Sequence, residues 1–346
     1  MAAPPRPPAP IVGKVTHHTI LISWVEAYER LSTTVKKGDG RIRVVLQEED
    51  KSCQWGNAYT GYAKSHVVEG LEALTKYRFR MCFKNDHGES DWSAPVVVMT
   101  TKEPLTGVHL HKAVIHRDID GIEKVLNTSD VNIDVNDKSG NSPLMVASQK
   151  GYLDVVNALI KRGADVNLQD ETGKTSLMLA CYAGRLNIVE ILRENQASYT
   201  IKDKNGAIAI HSACDGQNLE VIKYLIDDGA DVNARDTTSG WTPLHRCAAI
   251  GGNKEVANLL IRKGAVIESK DNDGKTPLMI AVVYGHQGLV ELLLHYKADI
   301  YATNVYGKSI YEMALSMERQ RVIKTIEDHM QLQQVQKYEF VEGEMT

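Results

Sequence analysis

The sequence lacks a long hydrophobic run, a C-x-x-C pair and a block of basic residues. No stretch approaches the ~18 consecutive apolar residues of a membrane-spanning helix, so no membrane partner is expected. The proline-rich first ten residues have no apolar segment of the kind that a secretory signal needs, and we therefore expect a protein of the cell interior. The five cysteines are odd in number and have no paired spacing, and we expect them to be reduced.

Motifs that carry chemistry are scarce as well. Residues 1–104 hold 14 Lys and Arg against 12 Asp and Glu, and the remainder holds 26 against 32. Such an even distribution does not indicate direct nucleic-acid binding, which depends on clustered cations that neutralise phosphates. No glycine-rich phosphate loop is present, and His116-Arg117-Asp118 copies a kinase tripeptide without the other kinase motifs. We predict no enzyme, no catalytic residue, no metal ligand and no cofactor.

The sequence does contain a regular period. Seven small residues, here called the repeat markers, follow one another at steps of 34, 33, 33, 34, 34 and 33 residues: Ala113, Ala147, Ala180, Ala213, Cys247, Ala281 and Ala314. A fixed period of this length indicates a stack of similar supersecondary units. Cys181, Cys214 and Cys247 keep the same period, which places them about one helix diameter (~10 Å) apart and too far for a disulfide. We interpret them as small core residues.

The clearest repeat has Gly-Trp-Thr-Pro-Leu-His-Arg-Cys-Ala at residues 240–248. Thr242 can cap a helix that has Pro243 in its first turn, and paired apolar residues four apart predict a second helix in each repeat. The motif resembles the ankyrin repeat over residues 107–336, with six good repeats and a divergent seventh that caps the C-terminal end. The resemblance implies an all-α solenoid in which His211 and His245 bond the backbone.

The first hundred residues show a different pattern. Residues 20–24, 41–46 and 77–83 alternate between apolar and polar side chains, and 96–99 is a candidate last strand. Several short strands separated by turn residues, without a helical pattern, predict a β-sandwich. Residues 47–60 alone look irregular.

Two segments of this region resemble a fibronectin type III domain, which is an all-β immunoglobulin-like sandwich. They are residues 71–80 and 88–95, which read LEALTKYRFR and GESDWSAP. The resemblance implies that Trp24 is buried and that Tyr77 is a corner tyrosine whose hydroxyl bonds the backbone upstream. We therefore predict a multidomain chain with a proline-rich disordered lead-in at 1–7, the sandwich at 8–103, the ankyrin repeats at 107–336 and a tail at 337–346.

The ankyrin resemblance also implies a binding surface, to which each repeat contributes equivalent positions. These are the two residues before a tip glycine, the residue after it, and the residues two and three after each repeat marker. Read from the sequence, they predict the following partner-binding residues: Lys174, Tyr182, Trp241, Ile250, Lys275, Val283, Tyr284 and Tyr306. Exposed aromatic residues are typical of binding hot spots. The alternative is that Trp241 and Tyr284 pack against neighbouring tips and stabilise the stack.

These patterns predict a non-enzymatic, monomeric adaptor that binds protein partners on the concave face of the array. The pairing of the two domains resembles a vertebrate family, and this resemblance implies an intracellular regulator of transcription and apoptosis in the nucleus and cytoplasm. Its partner would be a transcription factor or signalling protein. A structural scaffold or spacer in a cytoskeletal or ciliary assembly is the alternative. The ankyrin resemblance also marks Asn167 and Asn233, in Asp-Val-Asn turns, as candidates for hydroxylation.

Overall fold

The computed structural model describes residues 3–34, 41–128 and 130–343. The chain divides into two compact units, Met1–Pro104 and Leu105–Thr346. The first is built mainly from strands and the second, hereafter the array, from helices. An N-terminal β-sheet region followed by a helical repeat array is the fold class that the sequence predicts.

Within the described residues of the N-terminal unit, eight strands form two antiparallel sheets. The first sheet has the strand order β1-β2-β5. The second has the order β4-β3-β6-β7, and its fifth strand, β8, pairs with β6. The strands are β1 (Ile11–Val15), β2 (Ile20–Ser23), β3 (Arg43–Glu49), β4 (Trp55–Gly61), β5 (Ser65–Val68), β6 (Lys76–Asn85), β7 (Gly88–Glu89) and β8 (Val96–Met99). Apolar residues from both sheets, including Ile22, Leu46 and Phe79, form one buried core.

Two residues implied by the fibronectin resemblance occupy the expected places. Trp24 is buried, and its indole Nε1 donates a 2.8 Å hydrogen bond to the carbonyl of Ala63. The hydroxyl of Tyr77 accepts a 2.7 Å hydrogen bond from the backbone N–H of Glu72, five residues upstream. The Trp24 bond joins segments 39 residues apart, whereas the Tyr77 bond is the local, upstream backbone bond that the resemblance implies.

Three expectations for this unit differ from the structure. Residues 25–34 form a helix, α1 (Val25–Thr34), although no helical pattern was expected here. The segment 47–60 is not irregular, because it forms most of the β3–β4 hairpin and its turn. In the described part of the predicted lead-in, Pro4 and Pro7 are buried rather than free in solution. Together with Pro10, which is buried at the start of the predicted sandwich, they keep the three-residue spacing of a polyproline II helix. Residues 1–2 lie outside the described residues.

Seven pairs of helices make up the described array. The inner, first helices are α2 (Gly107–Ile115), α4 (Pro143–Lys150), α6 (Ser176–Tyr182), α8 (Ala209–Asp215), α10 (Pro243–Ala249), α12 (Pro277–Tyr284) and α14 (Ile310–Ser316). The outer, second helices are α3 (Ile119–Thr128), α5 (Leu153–Lys161), α7 (Leu186–Glu194), α9 (Leu219–Asp227), α11 (Lys254–Arg262), α13 (Gln287–His295) and α15 (Gln320–Gly343). We number the pairs repeat 1 to repeat 7.

The helix boundaries follow the predicted chemistry. The hydroxyl of Thr242 accepts from the backbone N–H of His245, and Pro243 opens α10. Gly151 and Gly285 end their inner helices in the left-handed conformation, with φ of 85° and 78°. Six of the seven repeat markers are fully buried in the common core, and Ala113 is nearly so. The last helix exceeds expectation, because α15 continues through the predicted tail to Gly343.

Candidate functional site

The tips of the array are tight turns, each organised by one side chain. In repeat 3 the carboxylate oxygen Oδ1 of Asp170 accepts 2.8 Å hydrogen bonds from the backbone N–H groups of Thr172 and Lys174. Asp203 and Asp271 do the same in their tips, and Asn304 does so through its amide oxygen. The repeated acidic residue is thus used inside the turn, which leaves the next residues to face outward.

Backbone hydrogen bonds join successive tips to one another. The N–H of Lys204 donates to the carbonyl of Thr172 at 3.0 Å, and that of Asn272 donates to Ser239 at 2.9 Å. The N–H of Val305 donates to Asp273 at 3.0 Å. These bonds hold the tips of neighbouring repeats in fixed register, so side chains at equivalent positions form rows.

Three residues of the predicted binding set present apolar surface to solvent in repeats 5 to 7. Ile250 and Tyr284 lie at the C-terminal ends of α10 and α12 and are 38% and 48% exposed. Tyr306, on the tip before α14, is 73% exposed. Val283 is half-buried and packs on the core. Tyr182 is also exposed, on α6. The inner helix of repeat 4 separates it from Ile250, and in that repeat Gly216 occupies the position equivalent to Ile250.

Trp241 has a different environment from these residues. Its ring is half-buried against the core, and Nε1 donates a 3.1 Å hydrogen bond to Oδ2 of Asp271 in the next tip. The Arg246 guanidinium lies 5.7 Å from the centre of its indole ring. These contacts favour the stabilising role that the sequence left open for Trp241, whereas Tyr284 remains exposed.

The two predicted lysines also differ. Lys174 is exposed on the repeat 3 tip. Lys275 is half-buried, and its Nζ lies 2.6 Å from Oδ2 of Asp273. The hydrogen bond and charge of Asp273 raise the pKa of Lys275, so this lysine is already paired.

An ion-pair cluster beneath the surface was not predicted. Arg246 Nη1 lies 3.1 Å from Oδ2 of Asp215, and Nη2 lies 2.8 Å from Oδ2 of the buried Asp236. Burial raises the pKa of Asp215. The sequence signal was weak, because the residue before the marker has no constant character: it is Lys112 in repeat 1, Val146 in repeat 2 and Ser212 in repeat 4.

A second missed feature belongs to the last repeat. Met317 is 47% exposed and follows its marker by three residues, as Ile250 and Tyr284 follow theirs. The spacing could have identified it, but the divergent motif of repeat 7 obscured the equivalence. Ile250, Tyr284 and Met317 form the apolar row, one residue in each of three consecutive repeats.

The periodic cysteines and histidines have structural environments. Cys181, Cys214 and Cys247 are buried and unpaired, and burial raises the pKa of the Cys247 thiol to about 12. His245 Nε2 donates to the carbonyl of Lys275 at 3.1 Å, and His211 Nε2 lies 3.1 Å from the carbonyls of Ala234 and Trp241. This is the backbone bonding that the ankyrin resemblance implies. Within the described ranges no group of three His, Cys, Asp or Glu could hold a metal ion.

The two candidate hydroxylation residues connect adjacent repeats. Asn167 Oδ1 accepts a 2.7 Å hydrogen bond from the N–H of Ser198, and its Nδ2 donates to the carbonyl of Gln196 at 3.2 Å. Asn233 makes the same pair of bonds, to Val266 at 2.8 Å and Gly264 at 3.0 Å. Modification at either residue remains a prediction.

In the part of the chain that is described, no helix combines the length and the hydrophobicity needed to cross a bilayer.

A family model for ankyrin repeats (3 copies) matches residues 162–236 and 210–304, and another for ankyrin repeats (many copies) matches residues 125–177. The ankyrin repeat domain of Bcl-3, titled a unique member of the IkappaB protein family, aligns with a TM-score of 0.54 at 25% identity. That alignment covers 62% of this chain and 96% of the Bcl-3 chain.

Relatives that share most of the chain carry both domain types in their names. The mouse (Mus musculus) fibronectin type 3 and ankyrin repeat domains 1 protein is 58% identical over 283 residues, which is 81% of each chain. The human (Homo sapiens) fibronectin type 3 and ankyrin repeat domains protein 1 is 57% identical over 281 residues, again 81% of each. The chain therefore belongs to the family of fibronectin type 3 and ankyrin repeat domains proteins.

Proposed function

We propose that this protein is a non-enzymatic adaptor that binds protein partners on the tips and inner-helix ends of its array. The observation that carries the proposal is the exposure of Ile250, Tyr284 and Tyr306 on neighbouring repeats whose tips are joined by backbone hydrogen bonds. Large apolar side chains held on a rigid support lose little entropy on binding, which is why such residues dominate interface energies.

The cellular role of the adaptor is a further part of the proposal. The vertebrate family that the chain resembles supports a monomeric regulator of transcription and apoptosis, acting in nucleus and cytosol through a transcription factor or a signalling protein. Imaging of the tagged chain would test the location. Sedimentation at several concentrations would test the monomer, since an oligomer would change its apparent mass on dilution.

The experiment removes two exposed tyrosine side chains of neighbouring repeats. The double variant Tyr284→Ala with Tyr306→Ala should weaken partner capture by the purified array at least roughly tenfold, as expected for hot-spot residues. Tyr301→Ala is the matched control, because Tyr301 is also an exposed tyrosine (57%) but lies outside the predicted positions. Partners would be captured by crosslinking and identified by mass spectrometry, and each variant's unfolding curve would be measured. Unchanged capture by the double variant would contradict the proposal.

One observation favours the scaffold alternative. The continuous hydrogen bonding between tips and the link from Trp241 to Asp271 would also suit a rigid spacer. A spacer would attach to its assembly through the N-terminal unit, so partners captured by that unit alone and none by the array would favour this alternative.

A further inference from the structure

The tip of repeat 4 contains the only Asn-Gly sequence in the chain, Asn205-Gly206. An asparagine can lose its side-chain amide when the backbone nitrogen of the next residue attacks the side-chain carbonyl. Glycine favours this attack, because it has no Cβ to hinder the approach and its backbone is flexible. The equivalent places in the tips of repeats 3 and 6 hold Thr172 and Asp273. Repeat 4 therefore carries a reactive pair that these two tips lack.

The side chain of Asn205 is free to react. It is exposed, and within the described residues its amide makes no hydrogen bond. By contrast, the amide of Asn272 in the tip of repeat 6 donates a 3.1 Å hydrogen bond to the carbonyl of Thr238. No contact of this kind has to be broken before the Asn205 side chain can turn towards Gly206.

The folded tip restrains the attacking nitrogen instead. The N–H of Gly206 donates a 2.9 Å hydrogen bond to the carbonyl of Asp203, so this turn must open before the reaction can proceed. Ile208 gives α8 no side-chain cap, whereas the hydroxyl of Thr175 caps α6 in repeat 3. A helix start without a cap is more easily opened, and the reactive pair lies directly before one.

The main-chain carbonyl of Asn205 joins repeat 4 to repeat 5. It accepts hydrogen bonds from the backbone N–H groups of Thr237 and Thr238 at 3.0 and 3.2 Å. The hydroxyls of the same two threonines lie 3.0 and 3.2 Å from it. Gly206 also lies close to Thr237, since a Cβ at Gly206 would come within 2.5 Å of the Thr237 nitrogen. A main chain lengthened by one carbon at this point cannot keep all of these contacts.

We propose that Asn205 is a deamidation site whose conversion loosens the joint between repeats 4 and 5. The backbone nitrogen of Gly206 forms a bond to Cγ of Asn205 and loses its proton, and the side-chain amide leaves as ammonia. Water then opens the resulting cyclic imide, its hydroxyl going to a carbonyl carbon and its proton to the nitrogen. Opening at Cγ gives aspartate, and opening at the main-chain carbonyl carbon gives isoaspartate, in which the main chain runs through Cβ and Cγ.

The direct test incubates the purified full chain at mildly alkaline pH and follows each asparagine by peptide mass spectrometry. An isoaspartyl methyltransferase assay measures the isoaspartate that forms. Asn205 should convert at least about tenfold faster than Asn272, because a residue with a side chain, Asp273, follows Asn272. Asn205→Gln should abolish conversion at this position, since the longer side chain places its amide carbon further from the next backbone nitrogen.

Two further variants test the dependence on opening of repeat 4. Thr172→Asn introduces an asparagine before Gly173 in repeat 3, where α6 is capped, and the new site should convert more slowly than Asn205. Ala209→Pro should slow the conversion of Asn205 about two- to fivefold, because proline at the first helical position makes opening rarer. Equal rates at residues 172 and 205, or no effect of Ala209→Pro, would overturn this dependence.

Amide hydrogen exchange tests the effect on the joint. Exchange of Thr237 and Thr238 should be faster in the converted chain than in the fresh chain, and incubated Asn205→Gln should show no such change. Unchanged exchange in the converted chain would overturn the loosening, and an Asn205 that converts no faster than Asn272 would overturn the site itself. These outcomes do not depend on partner capture, so the inference can fail while the adaptor function stands.

Discussion

The indole nitrogen of Trp241 donates a 3.1 Å hydrogen bond to the carboxylate of Asp271, which lies in the next repeat. The other oxygen of that carboxylate holds the backbone N–H groups of Asp273 and Lys275. Trp241 therefore supports the tip of repeat 6 from the tip of repeat 5. An aromatic residue whose position in the repeat places it in the predicted binding set is used here to join two repeats.

We expect Trp241→Ala to destabilise the array by about 2–3 kcal/mol, because it removes a half-buried ring and leaves the Asp271 oxygen without its donor. Trp241→Phe keeps most of the ring and removes only the donor, so it should cost about 1 kcal/mol. Urea unfolding of both variants measures the two losses. A Trp241→Ala variant as stable as the parent but deficient in partner capture would return this residue to the binding set.

Strained backbone at one turn should be relieved by glycine. Glu318 has φ 54° at the position, four residues after the marker, that Gly151 and Gly285 fill in other repeats. We expect Glu318→Gly to stabilise the array by about 0.5–1 kcal/mol, since a side chain is disfavoured in the left-handed region. Gln217→Gly is the comparison, because Gln217 has φ 55° but donates a 2.8 Å bond to Ile250 and should gain less. A loss of stability in Glu318→Gly would refute the argument.

The buried histidines should make stability depend on pH. Nδ1 of His245 accepts from the backbone N–H of Thr242, and Nε2 donates to Lys275, so no site remains for a second proton. Burial lowers the pKa of His245 and of His211. In the unfolded chain the histidine pKa is about 6.5. Below that pH the unfolded state binds more protons than the folded state, so stability falls as pH drops and is fully present above it.

Denaturant unfolding at about pH 7.5 and about pH 5.5 measures this dependence. The His245→Gln variant should be less stable than the parent at both pH values. Its free energy of unfolding should fall less from the higher to the lower pH, because one titrating group has been removed. A pH-dependent loss as large as that of the parent would show that His245 does not contribute.

Repeat 4 should be the most easily opened of the interior repeats. Ile208 precedes α8 without a side-chain cap, and Ala209 stands where α10 has Pro243. Amide exchange of Ala213 and Cys214 should be faster than that of Cys247 and Ala248. The Ala209→Pro substitution should slow the exchange of Ala213 and Cys214 and raise the free energy of unfolding by about 0.4–1 kcal/mol, because proline suits the first helical position. Equal protection of the two helices would disprove the expectation.

Hydroxylation of Asn167 and Asn233 should require local opening. The oxygen and the nitrogen of each side-chain amide are both hydrogen-bonded to the backbone that leads into the next repeat. An enzyme can therefore reach the amide only when these hydrogen bonds break. Peptide mass spectrometry after incubation with an asparaginyl hydroxylase should detect one added oxygen, and more of it in a destabilised variant such as Trp241→Ala. Thr200 occupies the equivalent turn position and serves as the unmodified reference. No added oxygen under any condition would remove the prediction.

The sequence by itself determined the repeat architecture. The markers, the Thr242 cap with Pro243, and the turn glycines act within one repeat or between adjacent helices, where short-range backbone chemistry decides the conformation. The same periodicity identified the cysteines and histidines as structural. Corner tyrosine Tyr77 was identifiable for a similar reason, since its partner lies only five residues away.

Only the tertiary structure decided which surface residues are free. Whether Trp241 is exposed depends on Asp271, 30 residues later, and Asp215 is neutralised by Arg246, 31 residues later. Helix α1 and the buried lead-in prolines likewise depend on contacts that local propensity does not encode. Periodicity fixes where a residue lies in its repeat, but its exposure and net charge are set by the partners that stacking brings alongside.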